Sequence, residues 1–239
     1  MPRPPWFDKD ACLASTVRAL VECGGSFDAT FLVDGAIPNP RRAFMAAHGD
    51  VVDLGSTDAR GLYRAAIGVH DRQYWPDHDV VYVCEDDYVH TPDAFRILRG
   101  AVEKVNDAGF FSLFDHPDLY LPSAPRATTI DVAADHHWRP VHATGLTYGA
   151  RVGALRSQKW VHRAAAATRP LNETRVWSAL QRRKAFRLLP QARAARMVSA
   201  VPALASQVQE GRLAPAIDWA SVHHDALVWA KERGFGGGR

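Results

Sequence analysis

Residues 79–91 read DVVYVCEDDYVHT, an apolar run that ends in three consecutive carboxylates, Glu85, Asp86 and Asp87. Adjacent like charges repel and gain nothing from burial. Such a cluster at the carboxyl end of a strand is expected where a cation, or a ligand carrying one, is bound. A hard cation, magnesium or manganese, prefers oxygen ligands and commonly bridges one or two carboxylates to a diphosphate. In an extended strand, side chains alternate, so Glu85 and Asp87 share one side and Asp86 points to the other. Glu85 and Asp87 are therefore the candidate ligands, with Asp86 in a structural place. The alternative is an acidic loop that enters the next helix and favours its N-terminus.

Other residues offer less specific chemistry. FDHPDLY places Asp115, His116 and Asp118 after a strand, where they could meet an acceptor or simply cap a Pro-containing turn. DHHWRP clusters His136, His137, Trp138 and Arg139. A Trp face beside an Arg suits a sugar or base and its phosphate, and equally suits a packed corner. The His pair has no Cys or Glu partner at zinc-site spacing. Cys12, Cys23 and Cys84 show no paired spacing, which points to a reducing, cytoplasmic setting.

These residues need elements to position them. Leu13, Val17, Leu20 and Val21 follow helical spacing, and ATFLVDG then reads as a strand ending at Asp34. DVVDLGS reads as a second strand ending at Asp53, and Leu62, Ala65, Ala66 and Val69 mark a helix leading to the strand before Glu85. Phe95, Leu98, Val102 and Val105 give the next helix, with Thr91 as cap and Pro92 in its first turn, followed by the strand GFFSLFDH. Such alternation predicts an α/β fold with a mostly parallel central sheet flanked by helices, and ligands outside the carboxyl ends of the strands. Further on, ATTIDVA and VHATGLTYGAR read as strands and 153–167 and 173–184 as helices.

The order of these elements, FLVDG after a first helix and then YVCEDDYVHTPDAF, resembles the aspartate-rich metal motif of GT-A-fold glycosyltransferases, which use nucleotide-diphosphate sugars. The likeness covers residues 8 to about 110 and extends more weakly to about 220. It implies one GT-A-like domain over 1–239: a donor half at about 8–110, an acceptor half at about 111–225 and a flexible tail at 234–239. The resemblance implies that Glu85 approaches the nucleotide ribose, that Asp87 binds manganese or magnesium, and that Asp34 contacts the base or ribose, with Asp86 in the same donor-binding motif. Many members of that family carry a late metal-binding His, where this sequence has Ser206 and Gln207; His223 or His224 would serve only if the last segment folds back. An inverting transfer also needs a carboxylate base across the sugar from the leaving group. Members often place it at a late helix start, which points to Glu173 in RPLNETRVW, capped by Asn172, with Asp115 in reserve. Glu173 could instead only stabilise that helix terminus. His116, Trp138 and Arg139 are the acceptor or phosphate contacts.

Composition limits the rivals. With 47% apolar and 23% charged residues, the 239-residue chain is ordinary for a globular protein, and no stretch approaches a membrane span. The net charge is only +3, although QRRKAFR and QARAAR concentrate Arg after residue 150. That basic half suits a solvated face, or a phosphate-bearing or nucleic-acid acceptor. A saccharide or small-molecule acceptor is favoured over nucleic acid. A nucleotidyltransferase is the first rival, but FLVDGAIPNPRR only partly imitates its Gly-rich phosphate loop. A nucleic-acid-binding protein is the second, and it leaves the acidic strand end unexplained.

Overall fold

The computed structural model describes residues 2–72, 75–124, 129–167, 173–181 and 196–235. The first part follows the order that the sequence predicts, with one further helix, α2, that it does not: α1 (Lys9–Cys23), β1 (Thr30–Val33), α2 (Asn39–Ala46), β2 (Asp50–Asp53), α3 (Ala59–Arg72) and β3 (Val80–Val83). Asp8 caps α1 by accepting the Asp10 amide at 2.7 Å, and Gly24, with φ 68°, lets the chain leave the helix. The crossover through α2 makes β1 and β2 parallel, with Val33 opposite Asp53.

A short strand absent from the sequence reading, β4 (Tyr88–His90), comes next and pairs antiparallel with β10 (Ala205–Gln207). Then follow α4 (Ala94–Lys104), β5 (Ala108–Ser112), β6 (Asp131–Ala133), β7 (His136–Pro140), β8 (Tyr148–Arg151), α5 (Val152–Ser157), α6 (Lys159–Ala167), α7 (Glu173–Leu180), β9 (Arg196–Val201) and α8 (Trp219–Lys231). The cap of α4 is Asp93 rather than Thr91, whose hydroxyl instead donates to the Asp93 carboxylate at 2.9 Å.

The main sheet has six strands in the order β3-β8-β5-β9-β7-β6, and only β5 and β9 run parallel within it. The chain is therefore a mixed α/β protein with a mostly antiparallel main sheet, which corrects the expectation of a mostly parallel one. Two features cause the difference. DHHWRP, which reads as a polar connection, is strand β7, joined to β6 by Ala134 and Asp135, both at positive φ (53° and 57°) as a two-residue hairpin turn requires. In addition, β8 returns between β3 and β5, antiparallel to both.

The central strands are buried on both faces, which explains their continuous apolar runs. On β5, Phe111 joins a core with Leu98, Val102, Trp138 and Trp219, while Phe110 joins another with Tyr148, Leu155, Trp177 and Leu180. The α8 helix packs along α1. Among the described residues, no helix is long and apolar enough to cross a membrane.

Candidate functional site

Because β3 stops at Val83 and Asp86 and Asp87 turn into β4, strand alternation does not reach the three carboxylates. They diverge instead. Glu85 faces the loop that enters β8: its amide donates to Thr147 Oγ1 at 3.0 Å, and that hydroxyl lies 3.4 Å from Glu85 Oε2. Gly145 in this loop fits because it lacks a side chain; a Cβ there would lie 2.9 Å from the Tyr88 hydroxyl and 3.4 Å from Glu85 Oε2. Trp177 of α7 donates its indole N–H to the Gly145 carbonyl at 3.3 Å, so β3, β8 and α7 meet at Glu85.

Asp87 faces the other way, toward the N-terminal segment and β10. Its Oδ2 accepts from Arg3 Nη2 at 2.8 Å and from Gln207 Nε2 at 3.0 Å, while its Oδ1 is buried without a hydrogen-bond partner. Arg3 is itself anchored, donating to the Val208 carbonyl at 2.6 Å with its guanidinium 4.8 Å from the centre of the Phe7 ring. Arg212 Nη1 stands 3.4 Å from Gln207 Oε1. Asp86 lies outside this group, exposed and paired with Lys9. The expectation that Glu85 and Asp87 act on one side as a pair is therefore corrected, since the chain turns between them.

The residues at Asp87 do not fit the expected divalent cation. Such an ion needs about six oxygens and usually keeps several waters, whereas Asp87 Oδ2 already holds two donors and Oδ1 has no exposed surface. The Arg3 guanidinium already supplies a positive charge there. Among the described residues, no group of three or more His, Cys, Asp or Glu is arranged to hold a metal ion. Gln207 does lie at Asp87, as the late-ligand position implied, but it donates to the carboxylate. Ser206 is buried and accepts the Ala214 amide at 2.9 Å. His223 sits at the start of α1, where its Nε2 accepts the Asp8 amide at 3.0 Å, and His224 is exposed.

At the end of β5, Asp115 is buried and both of its oxygens are engaged, one by the Tyr120 hydroxyl and one by Arg139. Burial pushes its carboxyl above the ordinary value, against the lowering pull of Tyr120 and Arg139. Asp115, the reserve base, thus has each oxygen already hydrogen-bonded within the protein. Trp138 is fully buried and donates its indole N–H to the Ala133 carbonyl at 3.2 Å, so it packs the core and touches no acceptor. Arg139 stacks over the exposed Tyr120 ring at 4.7 Å. His116 is partly exposed, and its Nδ1 accepts the Asp118 amide at 3.1 Å. Burial lowers its pKa most, Asp118 opposes this, and nearby Arg212 adds to the lowering.

In the first part of the chain, Asp34 is exposed at the end of β1 and accepts the Thr57 amide at 2.9 Å, while Asp53 at the end of β2 pairs with Arg42. Glu173 opens α7, four residues before Trp177, but its side chain lies outside the described residues. So do Arg182, Arg183, Lys184 and residues 191–195 of QARAAR, whereas its last residue, Arg196, opens β9 and pairs with Asp107 and Asp131. Arg3 and Gln207 meet at Asp87 from far apart in the chain, with Arg212 beside Gln207, and of these only Gln207 stands at a position that the sequence singles out. No family model matches the chain, and no curated protein or solved structure matches it either.

Proposed function

We propose that the chain is a GT-A-like glycosyltransferase that moves a sugar from a nucleotide-diphosphate donor to a saccharide or small-molecule acceptor. The observation that carries this reading is the junction of β3, β8 and α7, where Glu85 is oriented by Thr147 and the loop is brought close by Gly145. A half-exposed carboxylate positioned this way accepts hydrogen bonds from vicinal hydroxyls such as those of a ribose. Asp34 and Asp53 at neighbouring strand ends support a nucleotide in the donor half.

The chemistry assigned to the chain's own groups is direct displacement. Glu173 takes the acceptor hydroxyl proton as that oxygen bonds to the anomeric carbon, and the bond to the diphosphate oxygen breaks with its electron pair leaving on the diphosphate. His116, with Nδ1 accepting an amide, carries its proton on Nε2 and can donate to an acceptor oxygen.

The test is a thermal-shift screen of nucleotide-diphosphate sugars followed by turnover of the best binder, since a ligand of the folded state raises its melting temperature. A donor is expected to bind and to be turned over, with Glu173→Gln cutting turnover about a hundredfold at unchanged melting temperature. If no nucleotide sugar stabilises the protein, the reading is wrong; if the Glu173→Gln enzyme keeps near-parental turnover, the base assignment is.

A further inference from the structure

We propose that the chain itself supplies the positive charge beside the acidic end of β3, through Arg3 and Arg212, and that these arginines bind a diphosphate without a divalent cation. The ligand class rests on the donor reading above; the geometry does not. Arg3, Asp87, Gln207 and Arg212 form one connected relay, in which Asp87 Oδ2 takes donors from Arg3 (2.8 Å) and Gln207 (3.0 Å) and Gln207 Oε1 faces Arg212 (3.4 Å). Asp87 therefore pairs directly with Arg3 alone and reaches Arg212 only through the neutral Gln207 amide.

Arg212 is the decisive member. It is half-buried, and among the described residues its side chain makes one hydrogen bond, to a neutral amide, with no carboxylate within ion-pair distance. A half-buried guanidinium with an unmatched charge calls for an anion, and its planar fork of N–H donors suits phosphate oxygens. Arg3 is held firmly by Asp87, Val208 and Phe7, yet those contacts use only two of its five N–H donors and leave the side chain 36% exposed. Lys9 and Asp86 neutralise each other nearby. Asp87 then acts as a positioning residue: it spends its charge on orienting Arg3 instead of on holding a metal.

The experiment is calorimetry with inorganic pyrophosphate, in EDTA and in manganese, on the parent, Arg212→Gln and Arg3→Gln. The parent is expected to bind in EDTA with an affinity that manganese changes only a few-fold. Arg212→Gln should lose about tenfold or more in affinity at an unchanged melting temperature. Arg3→Gln removes the charge and shortens the side chain, so Asp87 Oδ2 loses a donor and the variant should gain a manganese-dependent rise in melting temperature that the parent lacks. A parent that binds pyrophosphate only with manganese, or an Arg212→Gln protein that binds as tightly as the parent, overturns the proposal. Because no sugar takes part, pyrophosphate binding can succeed where every nucleotide sugar fails to be turned over, and the reverse, so the two readings fail separately.

Discussion

Asp115, just beyond β5, and Asp87, just beyond β3, each meet an arginine from a distant segment, Arg139 in one case and Arg3 in the other. Their surroundings separate them. At Asp115 the side chains are 1% exposed for the acid and 15% for the arginine, and Tyr120 occupies the remaining oxygen. At Asp87 the figures are 10% and 36%, and the second partner is an amide that passes the contact on to Arg212. The first pair is closed and internally balanced, so it fixes the end of β5 to β7. The second is open on its cationic side, so its charge remains available to a ligand. Residue types alone do not distinguish a structural ion pair from a binding one; the exposure of the cation and the next residue in the relay do.

The largest expected effect breaks the closed pair. Asp115→Ala leaves the largely enclosed Arg139, 15% exposed, with its partner removed, and its Nε already lacks a hydrogen-bond partner. The loss should be about 3–5 kcal/mol, the usual cost of an uncompensated buried charge. Asp87→Ala should cost roughly 1–2 kcal/mol, because the partly exposed Arg3 can turn into water and a buried unsatisfied oxygen is removed as well. Urea unfolding of both variants measures the difference. Equal losses would mean that the two sites are equally closed.

The same contrast explains what could be read in the sequence. Most elements of the first 110 residues were legible because helix and strand periods differ, and Val17, Leu98 and Val102 do face the core. Strand β7 was not, since HHWRP has no apolar alternation; it is a strand because a two-residue turn folds it onto β6 and Trp138 fills the core. The side assigned to Asp87 failed because alternation holds only while a strand continues, and β3 ends four residues earlier. Arg3 sits in the unpatterned start MPRPPW, and its place at Asp87 depends on the N-terminal segment lying beside β10, which no local signal encodes.

A smaller effect comes from protons and sharpens what closure means. His90 is fully buried between the Thr16 hydroxyl (3.1 Å to Nδ1) and the Tyr82 hydroxyl (2.9 Å to Nε2), with the Ser15 hydroxyl on its amide and the Phe95 ring alongside. Burial lowers its pKa to about 3. The unfolded chain takes up the proton first as pH falls, so the stability His90 contributes is full above its ordinary pKa of about 6.5 and is lost toward its folded value. At about 1.4 kcal/mol per pH unit, the loss by pH 5 is roughly 2 kcal/mol. Asp115 has the opposite sign: its folded pKa is raised, so its protonation adds nothing to this acid loss. His116 and His223 are lowered too and act in the same direction as His90. His90→Gln isolates the one contribution. Urea midpoints at pH 7 and pH 5 should fall less in the variant than in the parent, and identical slopes would exclude His90 as their source.

The smallest expected effect concerns the third ion pair at this end of the molecule, between Lys9 and Asp86. Their side chains are 48% and 72% exposed, so water and salt screen the attraction. Lys9 is also the first residue of α1, immediately after the cap Asp8, where a positive charge opposes the helix dipole. Lys9→Ala therefore removes one weakly favourable and one weakly unfavourable interaction, and alanine is the better helix former. Stability should change by no more than roughly 0.5 kcal/mol in urea unfolding, and pyrophosphate affinity should stay within a factor of about two, since the charge removed was already matched by Asp86. A clear loss of affinity in Lys9→Ala would place the anion over the start of α1 instead of over the relay from Arg3 to Arg212, and the distinction between matched and unmatched cations at this site would no longer hold.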